Sequence, residues 1–266
     1  DGLRQAAGMG SLRTLDDLKE ALIRRLDWFC AHGCVISDHG MDFLPVADCG
    51  ESEASDLFER KGNGTAKDLS TGEQEKLTSH LLYFLAGEYR RRGMTMQLHF
   101  GTYRNVNRTM FDRVGRDAGF DIMRGRVDAD RLAVFFDTLN TRGSLPKTVL
   151  YSLNPTAVPA VATLSGAFRN VRVGAAWWFN DTVAGIRQQL STVAEYTALG
   201  THLGMLTDSR SFASYPRFDF FRRILCDTVG AYVERGEYDP RAAEALVTDV
   251  CYCNVKEFLG IGGENR

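Results

Sequence analysis

The feature that most constrains this chain is a fivefold alternation of short apolar runs with longer amphipathic stretches. The runs are Cys34–Asp38, Met96–Phe100, Thr148–Leu153, Val171–Trp177 and Leu203–Thr207. Each has the length of a strand, and several lack clean two-residue alternation, as expected of strands covered on both faces. Between them, Leu18, Leu22, Leu26 and Phe29 recur at helical spacing, as do Leu77, Leu81, Phe84 and Leu85. Repeated strand–helix order predicts a parallel sheet of the α/β class.

Local signals mark further helices. Asn154-Pro155 reads as an N-cap followed by Pro at the first helical position, and Asp181-Thr182 as the cap of a helix ending near Leu199. Phe218, Phe221, Leu225, Val229 and Tyr232 line one face of a long helix, and a final helix runs from about Pro240 to Phe258. Arg90, Arg91 and Arg92 precede Gly93 and suit the last turn of a helix, where they complement its dipole. Two polar stretches, near 42–72 and 102–128, follow strands and are expected to be loop insertions on the sheet's C-terminal side. With 266 residues, the chain fits a single barrel-type domain over 1–266.

Several functions lose their support. No stretch approaches the roughly 18 apolar residues that cross a bilayer, so no membrane partner is expected. A net charge of −2 gives no basic footprint for nucleic acid. No glycine-rich phosphate loop follows a strand. The six cysteines are too few in a chain this long for a disulfide scaffold. Cys30, His32 and Cys34, with His39 beyond, superficially resemble a zinc site, but Cys30 closes a helix and Cys34 opens a strand. Cys251 and Cys253 point to different helix faces. Reduced thiols in a cytoplasmic protein are the expectation. The first residues, Asp1-Gly2-Leu3, read like a cut end.

In parallel β/α folds, chemistry gathers at the C-terminal ends of strands. All five runs end in reactive side chains: Ser37-Asp38-His39, His99, Ser152 with Asn154, Trp177 through Asp181, and Asp208-Ser209-Arg210. Asp208 has two readings. It is a helix cap, although the next helical pattern begins only near Pro216, or it is a carboxylate for metal binding or general-base work. Arg210 is placed to steer a substrate carboxylate by a two-pronged hydrogen bond. His99 is either a satisfied core histidine or a strand-end ligand. His39 makes either an internal hydrogen bond or a substrate contact. Arg104, in an Arg- and Asn-rich stretch, is either solvated or anion-binding. One of Trp177 and Trp178 is expected in the core, the other against a pocket.

Met96–Asn107, Trp177–Asp181, Gly204–Phe212 and Phe221–Cys226 together resemble the signature stretches of uronate (glucuronate) isomerases, divergent members of the amidohydrolase superfamily. Ser37–Gly40 and Lys147–Pro155 match as well, so the resemblance runs from about Leu15 to Phe258. It implies a (β/α)8 barrel of the metal-dependent hydrolase type, incomplete here, with about strands four to eight present. Asp208 matches the aspartate that binds a single divalent metal and handles a substrate proton. Arg210 matches a catalytic arginine, and His99 the histidine near the metal. Arg104 and Trp177 match residues around the bound uronate, and His39 is assigned to substrate as well. The chain has no His-x-His pair, the superfamily's other ligand source, so a partial sequence is expected.

The reaction implied is aldose–ketose interconversion, D-glucuronate with D-fructuronate and D-galacturonate with D-tagaturonate. The metal expected is zinc, with manganese as the alternative, and no organic cofactor is needed. A full-length protein is expected to be a homo-oligomer, and the present segment alone to be inactive. The competing expectation is a metal-dependent hydrolase of the same superfamily.

Overall fold

The computed structural model describes residues 2–62, 69–125 and 127–262. They form two compact units. The first takes residues 1–36, 45–95 and 134–146, and the second takes 37–44, 96–133 and 147–266.

The first unit is helical. It holds α1 (Gly2–Ala6), α2 (Leu15–Ala31), α3 (Glu51–Gly62) and α4 (Thr71–Arg92). Sequence-local chemistry starts two of these helices. Thr14 and Asp17 form a reciprocal capping box on α2, and Ser70 and Glu73 form another on α4. Between these helices, Leu15, Ala54, Leu57, Leu69 and Leu77 make a buried cluster, with Leu18, Phe58 and Leu81 packed on it. At the end of α4 the three arginines do face the last turn, but Arg92 also pairs with Asp27 at 2.6 Å and with Glu88.

The second unit is organised on a four-stranded sheet in the order β1 (Ile36–Met41), β2 (Thr95–Phe100), β5 (Thr148–Ser152), β6 (Val171–Val173). β2 and β5 run parallel, with His99 opposite Tyr151, and β5 and β6 run parallel, with Leu150 opposite Val173. Two-residue strands β3 (Thr102–Tyr103) and β4 (Ile122–Met123) form a separate antiparallel pair. Helix α5 (Arg108–Val114) lies between them in sequence, and α6 (Ala129–Thr141) follows, its residues from Val134 on belonging to the first unit. Helices α7 (Val158–Ala167), α8 (Val183–Tyr196), α9 (Pro216–Glu234), α10 (Pro240–Thr248) and α11 (Asn254–Leu259) complete the chain. A π-turn, Asp249–Cys253, joins the last two. Met96, Leu98, Phe100, Leu150 and Val171 are buried on the sheet, and Val161, Ile186 and Leu190 are buried on α7 and α8.

Three expectations need correction. The run Leu203–Thr207 forms no strand. Its ladder groups are engaged elsewhere: the Gly204 N–H donates to His202 Nδ1 at 3.1 Å, and the Thr207 carbonyl accepts from Arg217. Gly204 also lies at φ +77°, outside the extended region. The stretch near 42–72 is no bare loop, since it contains α3, while residues 63–68 lie outside the described set. The stretch near 102–128 is likewise structured, with β3, α5 and β4. No helix among the described residues is long and apolar enough to cross a membrane.

Candidate active site

Strand alternation decides which side chains of β1 act together. Asp38 and Gly40 are two residues apart and share a face, and His39 projects from the other. On the neighbouring strand β2, His99 meets that face. Its Nδ1 lies 2.9 Å from Asp38 Oδ1. The carboxylate can only accept, so Nδ1 carries the hydrogen and Nε2 is left as the free lone pair. Gly40 makes this possible: a Cβ there would lie 2.2 Å from His99 Nε2. His39 projects from the opposite face; burial lowers its pKa, opposed by the Asp38 charge and assisted by His99.

Beside His99 on β5, the Tyr151 hydroxyl donates to Gln97 Oε1 at 2.8 Å. Burial, then the nearby Asp38 charge, pushes this phenol well above its usual range, so it stays protonated.

The segment after β6 turns sharply. Trp177 is buried, and Trp178 takes a left-handed φ of 54°. The Trp177 ring centroid lies 5.1 Å from that of His99. Its indole Nε1–H donates to Asp208 Oδ2 at 2.6 Å. Asp208 is therefore not a helix cap. It sits in a left-handed conformation, φ 43°, which an aspartate adopts at some cost. Such strain persists only where the surroundings impose it. Arg210 is exposed and makes no hydrogen bond or ion pair among the described residues.

Arg104 is committed more than its sequence context suggests. Its Nη1 pairs with Asp121 at 2.8 Å, and its guanidinium lies 5.1 Å over the Trp178 ring. Through Trp178 it adjoins the Trp177–Asp208 pair. Ser152 and Asn154, by contrast, serve local structure: Asn154 Oδ1 caps the following turn through the Thr156 N–H at 2.9 Å.

One coupling escapes sequence reasoning. Asp181 and Arg217 pair at 2.9 Å, and Arg217 also donates to the Thr207 carbonyl, one residue before Asp208. Burial raises the Asp181 pKa, Arg217 opposes that, and the Asp208 charge adds to it. An Asp after a strand and an Arg early in a helix were each visible, but nothing local couples them.

The structure thus brings Asp38, His99, Trp177 and Asp208 into one connected set; Arg210 follows Asp208 by two residues and has no ion pair among the described residues. Among the described residues, no group of three or more His, Cys, Asp or Glu side chains could hold a metal ion. A larger cavity of about 630 Å³ lies within the first unit, lined by Lys19, Glu51, His80 and Arg142, and contains none of these residues.

A parallel sheet with a carboxylate–histidine pair on adjacent strands, and an indole-held aspartate in a turn joined to it, defines a protein of the α/β class. Comparison with known proteins gives the family. The glucuronate isomerase family model matches residues 2–259, and the chain belongs to that family. It is 41% identical over 262 residues to a uronate isomerase of Shouchella clausii (strain KSM-K16), covering 96% of this chain and 55% of that protein. The crystal structure of a uronate isomerase from Thermotoga maritima superposes with a TM-score of 0.91 at 33% identity, covering 97% of this chain and 56% of that one. A provisionally described metal-dependent hydrolase from Lactobacillus casei ATCC 334, 16% identical, shares the fold alone, with a TM-score of 0.68 over 94% of this chain and 61% of that one. The chain spans about half the length of the curated relatives it matches.

Proposed function

We propose that these residues supply one part of a uronate isomerase active site, interconverting D-glucuronate with D-fructuronate and D-galacturonate with D-tagaturonate. The observation that carries this is Asp208: a carboxylate held in a strained turn by the Trp177 N–H, with Arg210, which has no ion pair among the described residues, two residues on. An aldose–ketose isomerase needs a base that moves a proton between C2 and C1 of an open-chain sugar, and a cation for the oxyanion of the enediol. Asp208 has a second oxygen available for the proton. Arg210 has the charge and fork geometry for the substrate carboxylate or that oxyanion. Trp177 fixes Asp208, and Arg104 stands beside it through Trp178. The assignment of His39 to substrate rests on its strand-end position beside Asp38.

The family implies a divalent metal, zinc ahead of manganese, with Asp208 and His99 as its ligands here. The Asp38–His99 pair has the chemistry of a ligating histidine oriented by a carboxylate. Two donors do not make a metal centre, however, and the described residues gather no third. No step is therefore routed through the metal. In this proposal residues 1–266 belong to one (β/α)8 barrel domain, the sheet strands lie in its second half, and the protein is a cytoplasmic homo-oligomer.

The test is to assay the full-length polypeptide for ketose formation from both uronates. Turnover of either is expected; a folded, metal-loaded protein inactive on both would sink the proposal and favour the hydrolase reading, for which esters and amides are the next substrates. The 266-residue segment alone, with the open edges of β1 and β6, is expected to self-associate and to be inactive.

A further inference from the structure

Asp208 holds an unfavourable backbone conformation, and the structure shows what holds it there. Its side chain is gripped by the Trp177 indole. The backbone just before it is gripped separately, at the Thr207 carbonyl, by the guanidinium of Arg217 from the first turn of α9. That guanidinium is not free to drift, because its Nε pairs at 2.9 Å with Asp181, whose side chain is only 8% exposed. Asp181 is fixed in turn by its own N–H, which donates to the Trp178 carbonyl at 3.1 Å. Both grips therefore originate in one five-residue turn, Trp177–Asp181: the first residue holds the carboxylate, and the last holds the main chain through Arg217.

We infer that Arg217 is a positioning residue for Asp208: bridging the Asp181 carboxylate and the Thr207 carbonyl, it locks the left-handed turn that aims the Asp208 side chain. This rests on Asp208 being the proton-handling carboxylate of the isomerase. A planar guanidinium suits the task, because it reaches two acceptors at once in a fixed geometry, and an ammonium does not. Arg217 has no part in binding the sugar, so its loss should cost turnover and spare substrate affinity.

The test uses the full-length enzyme and the variants Arg217→Ala, Arg217→Lys and Asp181→Asn. Displacing a reacting group by about 1 Å costs on the order of 100-fold, so kcat should fall by roughly 10- to 100-fold in each, with KM within about threefold of wild type. Added guanidinium should restore part of the kcat of Arg217→Ala and none of that of Asp181→Asn. A second measurement does not depend on activity. The Trp177 indole N–H resonance, assigned with Trp177→Phe, should shift upfield in all three variants as the bond to Asp208 loosens. Folded variants with unchanged kcat and an unmoved indole resonance would overturn the inference, as would a rise in KM at constant kcat. If the wild-type enzyme isomerises neither uronate, the functional proposal fails on its own, and the indole resonance still decides whether Arg217 positions Asp208.

Discussion

At residue scale, the site depends on what is missing as much as on what is present. Gly40 leaves the volume that the His99 ring occupies, and the added Cβ of Gly40→Ala would lie 2.2 Å from Nε2. The imidazole would have to move off Asp38. Ordinarily, Gly→Ala in a strand gains about 0.5–1 kcal/mol. Here that gain should be absent, and kcat should fall by about 100-fold, as steady-state kinetics and a thermal midpoint on the same sample would show. His99 was legible as a candidate because a strand end is a local pattern, and Asp208, Arg210 and Trp177 because each ends or follows a short apolar run, whether or not that run becomes a strand. Gly40 and Arg217 were not. Their roles exist only through partners distant in sequence, as with Asp38 and His99, separated by 61 positions.

The elements were more legible than their pairing. Capping residues and helical spacing placed α2, α4, α8 and α9 well, because each signal lies within a few residues of what it specifies. Ser70 illustrates the strength of such signals: its hydroxyl accepts from the Glu73 N–H at 3.3 Å, and the Glu73 carboxylate returns to the Ser70 N–H at 2.8 Å. Ser70→Ala should destabilise the protein by about 1 kcal/mol, measured as a lower urea midpoint at unchanged slope. The run Leu203–Thr207 had the composition of a strand without becoming one. Composition describes what a segment can bury, and a ladder also requires a partner and free backbone groups. Here side chains from His202 and Arg217 took those groups first.

Over the whole molecule, one buried group should dominate the response to acid. His202 is 2% exposed, and burial drives its pKa down to about 4, against a hydrogen bond to the Gly174 backbone that raises it. Its Nδ1 accepts the Gly204 N–H, so the ring is neutral in the fold. The unfolded chain takes up this proton below about 6.5 and the folded one only near 4. Between those values the unfolded state binds more protons, so stability is complete above pH 6.5 and is lost as pH falls toward 4. The full loss from this group is about 3 kcal/mol. His202→Gln should flatten that limb, seen as urea midpoints that change less between about pH 7 and pH 5 than in the wild type.

The segment His202 belongs to is also tied to the end of the chain. Asn254 Nδ2 donates to the carbonyls of Gly200 and His202 at 2.7 and 2.9 Å, and the Val250 carbonyl lies where a Cβ on Gly204 would be, at 2.7 Å. Those contacts come from the π-turn Asp249–Cys253 and the residue after it. Such a turn holds one residue more than regular winding allows. Deleting any one of the five would rewind the helix and rotate everything beyond it by about 100°, carrying Asn254 away from both carbonyls. Length, rather than composition, is therefore what this stretch must preserve. Among relatives its exposed positions should tolerate substitution while the stretch resists a single-residue gap; Val250, fully buried, is the exception.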